Sequence, residues 1–209
     1  GAGWSVSGSA CTTSGTITVD GLYTAGEEPC GAGCSEQVSA TGADNAPVSV
    51  TVTNDDAIAN YTIAPDPAGT TEGGTISFTL TQNWDDGCSV DVTGVAGWNV
   101  LSTTCDTSGS ITAGGLYTAG QEPCDLGCSE DVEVLNYSTV TNAPVSVTVT
   151  NDDTLTSEII SPDPGSALEG GTIQFTQLAT YSDGCTVDTT ATAGWGVTPG
   201  DCDTAGTIT

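Results

Sequence analysis

The sequence predicts an all-β protein made of tandem β-sandwich repeats of about 95 residues. The first observation is an exact internal repeat: NAPVSVTVTNDD at 45–56 recurs unchanged at 142–153, which is 97 positions further along. The second is that Val48, Val50 and Val52 alternate with hydroxyl side chains, the two-residue period of a half-buried strand. The third is that no segment has the periodicity of an amphipathic helix. The repeat has the size of a small sandwich domain.

Other segments of the repeat also have the strand pattern. In TISFTLTQ, Ile76, Phe78 and Leu80 alternate with Ser and Thr, and turn sequences such as DDG and AGG follow such segments. A Gly-Trp pair recurs in alternating segments, and these tryptophans are expected in the core, as in sandwich domains generally. They are Trp4, Trp98 and Trp195.

The ends of the repeat predict where units begin and end. VTVTNDD has the pattern of a last strand leaving a unit, and YTIAPDP and EIISPDP have the pattern of a first strand entering one. On this basis residues 1–56 are the C-terminal part of one repeat, 57–153 are a complete repeat, and 154–209 are the N-terminal part of the next. The chain is therefore interpreted as a segment of a longer array.

The charge of the chain is entirely negative. It has 27 acidic side chains and no Lys, Arg or His, which gives a net charge of −27. No ion pair between side chains can form, and nucleic acids and anionic membrane surfaces are repelled. Without His, Lys or Arg, acid–base, Schiff-base and phosphate chemistry have no side chains to carry them. Paired carboxylates, as in glycoside hydrolysis, remain, but they fall in turns. The sequence predicts that the protein is not an enzyme.

Nine cysteines predict an oxidising, extracellular compartment. The complete repeat contains four, and their spacing suggests that the two closest in sequence form a pair. The predicted disulfides are Cys30–Cys34, Cys88–Cys105, Cys124–Cys128 and Cys185–Cys202, with Cys11 unpaired in this segment. The alternative is a zinc site with four thiolate ligands.

Three stretches carry a family resemblance. EGGTISFTLTQNWDDG, DVTGVAGWNV and GSITAGGLYTAG resemble the bacterial immunoglobulin-like (Big) domains of surface adhesins, and the match covers most of each repeat. The closing strand VTVTNDD also resembles that of Calx-beta repeats, a second kind of sandwich. The Big resemblance implies a seven-stranded immunoglobulin-like sandwich that serves as a spacer or adhesive module. The cysteines depart from the usual Big pattern.

Acidic side chains are expected to gather where one repeat meets the next. Oxygen-rich clusters of this kind suit Ca²⁺, which takes six to eight oxygen ligands, although no EF-hand spacing is present. The alternative is a solvated turn capped by its own Asn and Asp side chains. The candidate calcium ligands are Asp55, Asp56, Asp85 and Asp86 at the first junction, and Asp152, Asp153 and Asp183 at the second.

These patterns predict a structural role. The sequence is that of a disulfide-stabilised segment of a secreted or cell-surface tandem-repeat protein, either an adhesin extender or the shaft of a surface filament. Its partners would be neighbouring repeats or copies of itself. One alternative is a module that binds a surface glycan or protein through Trp84 and Tyr181. Another is a self-assembling filament subunit whose incomplete units are completed by strand exchange.

Overall fold

The computed structural model describes residues 3–101, 104–124, 126–198, 200–202 and 204–209. These residues form 18 β-strands and one 3₁₀ helix, with no α-helix among them, so the all-β prediction is confirmed. The same described part of the chain contains no helix long and apolar enough to cross a membrane. The strands are β1 (Trp4–Ser7), β2 (Thr16–Ile17), β3 (Tyr23–Thr24), β4 (Cys34–Ala40), β5 (Val48–Val52), β6 (Ile58–Ala64), β7 (Ala68–Thr71), β8 (Thr75–Ser77), β9 (Thr79–Trp84), β10 (Ser89–Asp91), β11 (Trp98–Leu101), β12 (Ser110–Ile111), β13 (Leu116–Thr118), β14 (Cys128–Val134), β15 (Val145–Thr150), β16 (Leu155–Ser161), β17 (Thr176–Tyr181) and β18 (Thr186–Asp188), and the 3₁₀ helix is Thr93–Val95.

Residues 57–153, called here the central unit, contain strands β6 to β15 in three sheets. A four-stranded sheet has the order β11-β14-β15-β7, in which β15 and β7 are parallel and the other pairs antiparallel. Two three-stranded antiparallel sheets have the orders β10-β9-β6 and β12-β13-β8. Side chains from all three sheets contribute to one buried core.

The core follows the alternation seen in the sequence. On β15, Val145, Val147 and Val149 are buried while the residues between them are exposed. Phe78 packs edge-on against Tyr117, with 6.0 Å between the ring centroids. The other large, fully buried apolar side chains of this unit are Leu80 on β9 and Val132 on β14, and β14 presents every second residue to the interior.

The segments on either side of the central unit repeat its strand registers. In residues 3–56, called the first unit, the order is β1-β4-β5 with β2-β3 beside it, and in 154–209, called the third unit, it is β16-β17-β18. Trp4 pairs with Ala40 as Trp98 pairs with Val134. Every named strand pairing lies within one of the three units.

Equivalent residues are buried to different extents in the three units. Val145 is 1% exposed, whereas its equivalent Val48 is 48% exposed. Ile63 is 2% exposed, whereas its equivalent Ile160 is 52% exposed. In the central unit, strands from both halves of the repeat cover the apolar faces. The described first unit lacks equivalents of β6 and β9, and the described third unit lacks equivalents of β14 and β15.

The predicted core tryptophans differ in the same way. Trp98 is half-buried and packs against the core, with its ring centroid 6.3 Å from that of Phe78. Trp195 is also half-buried, with Phe175 at 6.4 Å. Trp4 is 39% exposed, so the prediction of a core position is wrong for this residue.

The predicted disulfide pairing is wrong. Eight cysteines form four disulfides, with Cα–Cα distances of 5.1 to 5.8 Å that suit such bridges, and Cys202 is free. Cys34 and Cys128 are the buried first residues of β4 and β14, whereas Cys30 and Cys124 lie in the preceding loops. Cysteines that are close in sequence therefore bond to different partners. With eight thiols oxidised, a four-thiolate zinc site is also excluded. The bridges are Cys11–Cys34, Cys30–Cys88, Cys105–Cys128 and Cys124–Cys185, which replace Cys30–Cys34, Cys88–Cys105, Cys124–Cys128 and Cys185–Cys202.

Candidate functional site: the two joints

The functional candidates gather at the two places where one unit meets the next. The first joint is the linker 53–57, between β5 and β6, with the loops that contact it. The second joint is the linker 151–154, between β15 and β16, with its contacting loops. Each joint also has a disulfide between its two units, Cys30–Cys88 at the first and Cys124–Cys185 at the second. Each pair of units is therefore connected covalently at two points.

The first joint brings together the four aspartates that the sequence predicted. Carboxylate oxygens of Asp56, Asp85 and Asp86 lie within 4.8 Å of one another, and those of Glu28, Asp55 and Asp56 form a second such group. Desolvation by burial, and then the charges of Asp86 and Glu28, raise the pKa of Asp56. The like charges are therefore close enough to act on one another.

Hydrogen bonds fix the backbone of the first joint. The Ala57 amide donates to Asp85 Oδ1 at 3.0 Å, and the Asp85 amide donates to the Ala57 carbonyl at 3.0 Å. Asn54 Nδ2 donates to Asp56 Oδ2 at 2.8 Å. The Asn54–Asp56 bond joins two side chains and does not cap the backbone of the linker, whereas in the β9–β10 turn Asp86 Oδ1 accepts a hydrogen bond from the Cys88 amide at 2.8 Å.

The second joint has a related cluster, in which Ser182 stands at the position equivalent to Asp85 and Glu72 is added. Oxygens of Glu72, Asp153 and Asp183 lie within 4.8 Å of one another. Asp152 lines the same open cleft of about 310 Å³. Ser182 Oγ donates to Asp153 Oδ1 at 2.9 Å. The structure thus places the three predicted acids of this joint around one cleft.

Glu72 was missed by the sequence prediction. It lies in the β7–β8 loop, and desolvation by burial, followed by the charges of Glu122, Asp153 and Asp183, raises its pKa. A signal was present, because the EGGTI motif that contains Glu72 recurs with Glu169 at the equivalent position 97 residues later.

Glu122 is the most unusual side chain of the second joint. It lies in the β13–β14 loop, is 2% exposed, and its carboxyl group contacts that of Glu72. Its oxygens accept no hydrogen bond from an amide or hydroxyl group of the described residues, and they share a carboxyl–carboxyl hydrogen bond with Glu72; the buried Nδ2 of Asn151 has no partner there. The equivalent residue of the first joint, Glu28, is half-buried. Because two buried carboxyl groups in contact are costly to ionise together, the pair favours protonation of one of them, in line with the raised pKa of Glu72.

The aromatic residues proposed to bind glycan also lie at the joints. Trp84, at the end of β9, is half-buried, and a Cβ atom added to Gly31 of the first unit would lie 2.7 Å from its ring. Tyr181, its equivalent on β17, is half-buried and its amide donates to the Cys185 carbonyl at 2.9 Å. The Trp84 ring therefore packs across the first joint, and glycan binding by either residue stays a prediction.

Two buried glutamates, one in the central unit and one in the first unit, have hydrogen-bond arrangements that the sequence did not reveal. Glu130 on β14 is fully buried and accepts hydrogen bonds from the Tyr117 hydroxyl and from the amides of Gly109, at 2.6 Å, and Gly120, at 3.2 Å. Glu36 on β4 has the same arrangement with the Tyr23 hydroxyl and the amides of Gly15, at 2.7 Å, and Gly26, at 3.2 Å. The recurrence of Glu at an inward position of an alternating strand was the available signal.

Comparison with known proteins gives limited matches. No known protein-family profile matches the chain. The chain is 26% identical over 166 residues to "Ice-binding protein 1" of Shewanella frigidimarina (strain NCIMB 400), a match that covers 78% of this chain and 17% of that protein. The chain therefore spans only a small part of this relative.

The solved structures that resemble the chain include parts of surface layer protein SbsC. The structure of its domains 4-9 has a TM-score of 0.33 and 16% identity, and covers 96% of this chain and 31% of that one. The structure of its domains 1-6 has a TM-score of 0.31 and 14% identity, with 88% and 24% covered. Similarity at this level assigns no function. The four disulfides are typical of an extracellular or cell-surface protein.

Proposed function

We propose that this chain is a force-resisting spacer segment of an extracellular tandem-repeat protein, built from immunoglobulin-like sandwich units, with a structural and not a catalytic role. The observation that carries the proposal is the pair of disulfides across the joints, Cys30–Cys88 and Cys124–Cys185. A linker of four or five residues alone would leave each joint free to hinge, and a second covalent connection restricts that motion.

The disulfides also shorten the covalent path between the two ends of the chain. A pulling force enters along residues 1–11, crosses to Cys34, returns to Cys30 and crosses the first joint to Cys88. It then follows the chain to Cys105, crosses to Cys128, returns to Cys124 and crosses the second joint to Cys185. Strands β4 to β9 and β14 to β17 lie almost entirely outside this path.

The path limits extension even if every strand unfolds. It contains about 60 of the 209 residues. At ~3.5 Å per residue, the oxidised chain would extend to roughly 210 Å plus the four bridges, and the reduced chain to roughly 730 Å. A segment of this kind keeps its reach nearly fixed under load, which is what a surface spacer requires.

The match to an ice-binding protein fits this proposal in one respect. The aligned region is 17% of that protein, as expected if the shared part is a repeated segment and not the whole molecule.

Single-molecule force spectroscopy of the whole chain tests the proposal. We expect the oxidised protein to reach a contour length of roughly 210 Å plus the bridges, and reduction to lengthen it more than threefold. Replacing Cys30 and Cys88 by Ser should release about 50 further residues, or roughly 175 Å. The matched control, Cys105→Ser with Cys128→Ser, removes a bridge within one unit and should release about 15 residues, or roughly 50 Å.

Two results would overturn the proposal. The first is an oxidised protein that extends to the length of the reduced chain. The second is a peptide map in which Cys30 and Cys124 are bonded to partners within their own units.

A further inference from the structure

The third unit has an open cleft at the place where the central unit is closed. The cleft has a volume of about 550 Å³, and its lining includes Ile160 and Asp163. Their equivalents in the central unit, 97 residues earlier, are Ile63 and Asp66. Ile63 is buried, whereas Ile160 is 52% exposed. The central unit therefore shows what kind of segment fills a cleft of this form.

One segment of the central unit covers the equivalent surface. Asn142 Oδ1 accepts a hydrogen bond from the Ile63 amide at 2.9 Å, and Asn142 Nδ2 donates to the Ile63 carbonyl at 2.7 Å and to Asp66 Oδ2 at 3.0 Å. The chain then enters β15, which runs parallel to β7 with Val147 beside Ala68. Residues 142–150 thus close the central unit with an asparagine anchor and a parallel strand.

The first unit presents the same segment without its cover. Residues 45–56 are identical in sequence to 142–153, so they offer the same side chains in the same order. In the described part of the first unit, β5 is the edge strand of the sheet β1-β4-β5, on the side where β15 has β7 as a neighbour. Asn45 and Val48 are exposed. An edge strand with an exposed apolar face is a surface to which another strand can add.

We propose that the third unit of one molecule binds the first unit of a second copy of this chain, in the register of the central unit. Asn45 of the second copy pairs with the backbone of Ile160 and with Asp163, and β5 lies parallel to residues 165–168, the equivalents of β7. The contact continues an interface that the structure already contains, the one between the two halves of the central unit. The inference goes beyond the proposed function and stands without it, because it rests on the open cleft and not on the disulfides of the joints.

Both copies carry an equivalent of β11, and the composite unit has room for one. In the first unit this is β1, which pairs with β4 over four residues. In the third unit it is 195–198, which lie in no strand. We therefore expect β1 to keep its place and 195–198 to move aside.

The two surfaces differ from each other, so the contact is head-to-tail. Each added molecule covers one surface and brings another open one, which gives open chains of molecules and not a closed dimer. Both partners are acidic, so their association requires salt that screens the repulsion.

Sedimentation of the whole oxidised protein at 1 M NaCl, where the Debye length is about 3 Å, tests the proposal. The average mass should rise with concentration from 20.7 kDa to more than that of a dimer. Ile160→Asp should weaken association by about tenfold or more, because it places a charge in an apolar contact. Leu155→Asp is the matched control. Leu155 lies on the same strand and is also 52% exposed, but its equivalent Ile58 stays 45% exposed in the central unit.

A mixture of two variants tests whether the contact is head-to-tail. Val48→Asp should block the first unit, because the equivalent Val145 is buried, whereas Ser49→Asp should not, because the equivalent Ser146 is exposed. Ile160→Asp and Val48→Asp should each stay monomeric alone. Mixed, they should form a dimer and nothing larger, since the mixture keeps one intact surface of each kind in every pair.

Circular dichroism checks that each variant folds. If Val48→Asp does not fold, Asn45→Ala takes its place, with Ser49→Ala as control, and the expected result is weaker association in Asn45→Ala alone. A wild type that stays monomeric at every concentration would overturn the proposal and leave the cleft to a different partner. Equal loss in Ile160→Asp and Leu155→Asp, a wild type that stops at a dimer, or a mixture that stays monomeric would also overturn it.

Discussion

The buried glutamates show how this chain handles charge without any basic residue. Glu36 accepts hydrogen bonds from Tyr23 and from two glycine amides, so donors of partial positive charge take the place of a counter-ion. A glycine is required at Gly15, because a Cβ there would lie 2.5 Å from Glu36 Oε2 and from the Thr24 carbonyl. At the residue scale, therefore, amide and hydroxyl donors of the chain satisfy the carboxylate of Glu36, whereas the carboxyl group of Glu122 meets another carboxyl group, that of Glu72.

Stability of the first unit should depend on the ionised form of Glu36. The hydrogen bond from Tyr23, followed by that from the Gly15 amide, lowers the pKa of Glu36 below its ordinary value. A carboxyl group with a lowered folded pKa contributes stability above its unfolded pKa, and the contribution is lost as pH falls through the folded pKa. Wild type should therefore be more stable than Glu36→Gln at pH 7, and the difference should shrink below about pH 4.5.

Thermal unfolding followed by circular dichroism between pH 7 and pH 3 measures this difference. Glu27→Gln is the control, because Glu27 is exposed. A difference between wild type and Glu36→Gln that stays constant over the whole range would contradict the assignment.

The packing of a strand end against a loop sets the geometry of the first joint. Trp84, the last residue of β9, packs against Gly31, which has a φ of +69° and leaves no space for a side chain. The adjacent bridge between Cys30 and Cys88 holds the same two elements together. At the scale of elements, the first joint consists of three parts: the loop that carries Cys30 and Gly31, the end of β9 with the turn that follows it, and the linker.

Gly31→Ala should loosen this contact. The new Cβ would meet the Trp84 ring at 2.7 Å and would require a left-handed backbone at a non-glycine residue, so the units must shift apart. Gly42→Ala is the matched control, because Gly42 has a φ of +84° and nothing within 4 Å. Both variants have the backbone cost, but only Gly31→Ala has the collision.

Small-angle scattering and thermal unfolding measure the two effects separately. We expect the maximum dimension to change only in Gly31→Ala, and the melting temperature to fall by at least as much in that variant as in the control. Identical scattering curves for the two variants would show that the contact with Trp84 does not fix the joint.

The whole molecule combines a high negative charge with covalent constraints. A net charge of −27 without any cation disfavours compact states through repulsion, and four disulfides counteract it by restricting the unfolded chain. The Debye length falls from about 30 Å at 0.01 M salt to about 3 Å at 1 M. Charges at the joints therefore act on one another strongly in dilute buffer and weakly in concentrated salt.

Sodium chloride should stabilise the protein even when divalent ions are removed. In the presence of chelator, we expect the melting temperature to rise steadily between 0.01 M and 1 M NaCl, because screening weakens repulsion in the folded state more than in the expanded one. Differential scanning calorimetry measures the shift. A constant melting temperature over this range would mean that the carboxylates are too well hydrated to affect folding.

The class of structure and part of the candidate site follow from local patterns in the amino-acid sequence. Alternation at Val145, Val147 and Val149 predicted buried strand faces, because the two-residue period is a local property of the chain. The repeated Asp-Asp linkers and turns predicted where acids gather, since equivalent segments take equivalent places. The immunoglobulin-like form of the units remains a proposal.

Contacts between residues far apart in the chain do not follow from such local patterns. The sequence placed Cys128 beside Cys124, but β14 turns Cys128 into the core toward Cys105, while Cys124 faces the next unit. It likewise gave no reason to bring Glu72 and Glu122 together, since they lie in different loops and 50 residues apart. Spacing along a chain fixes the direction of a side chain relative to its own strand, whereas contacts between loops depend on how whole sheets and units pack.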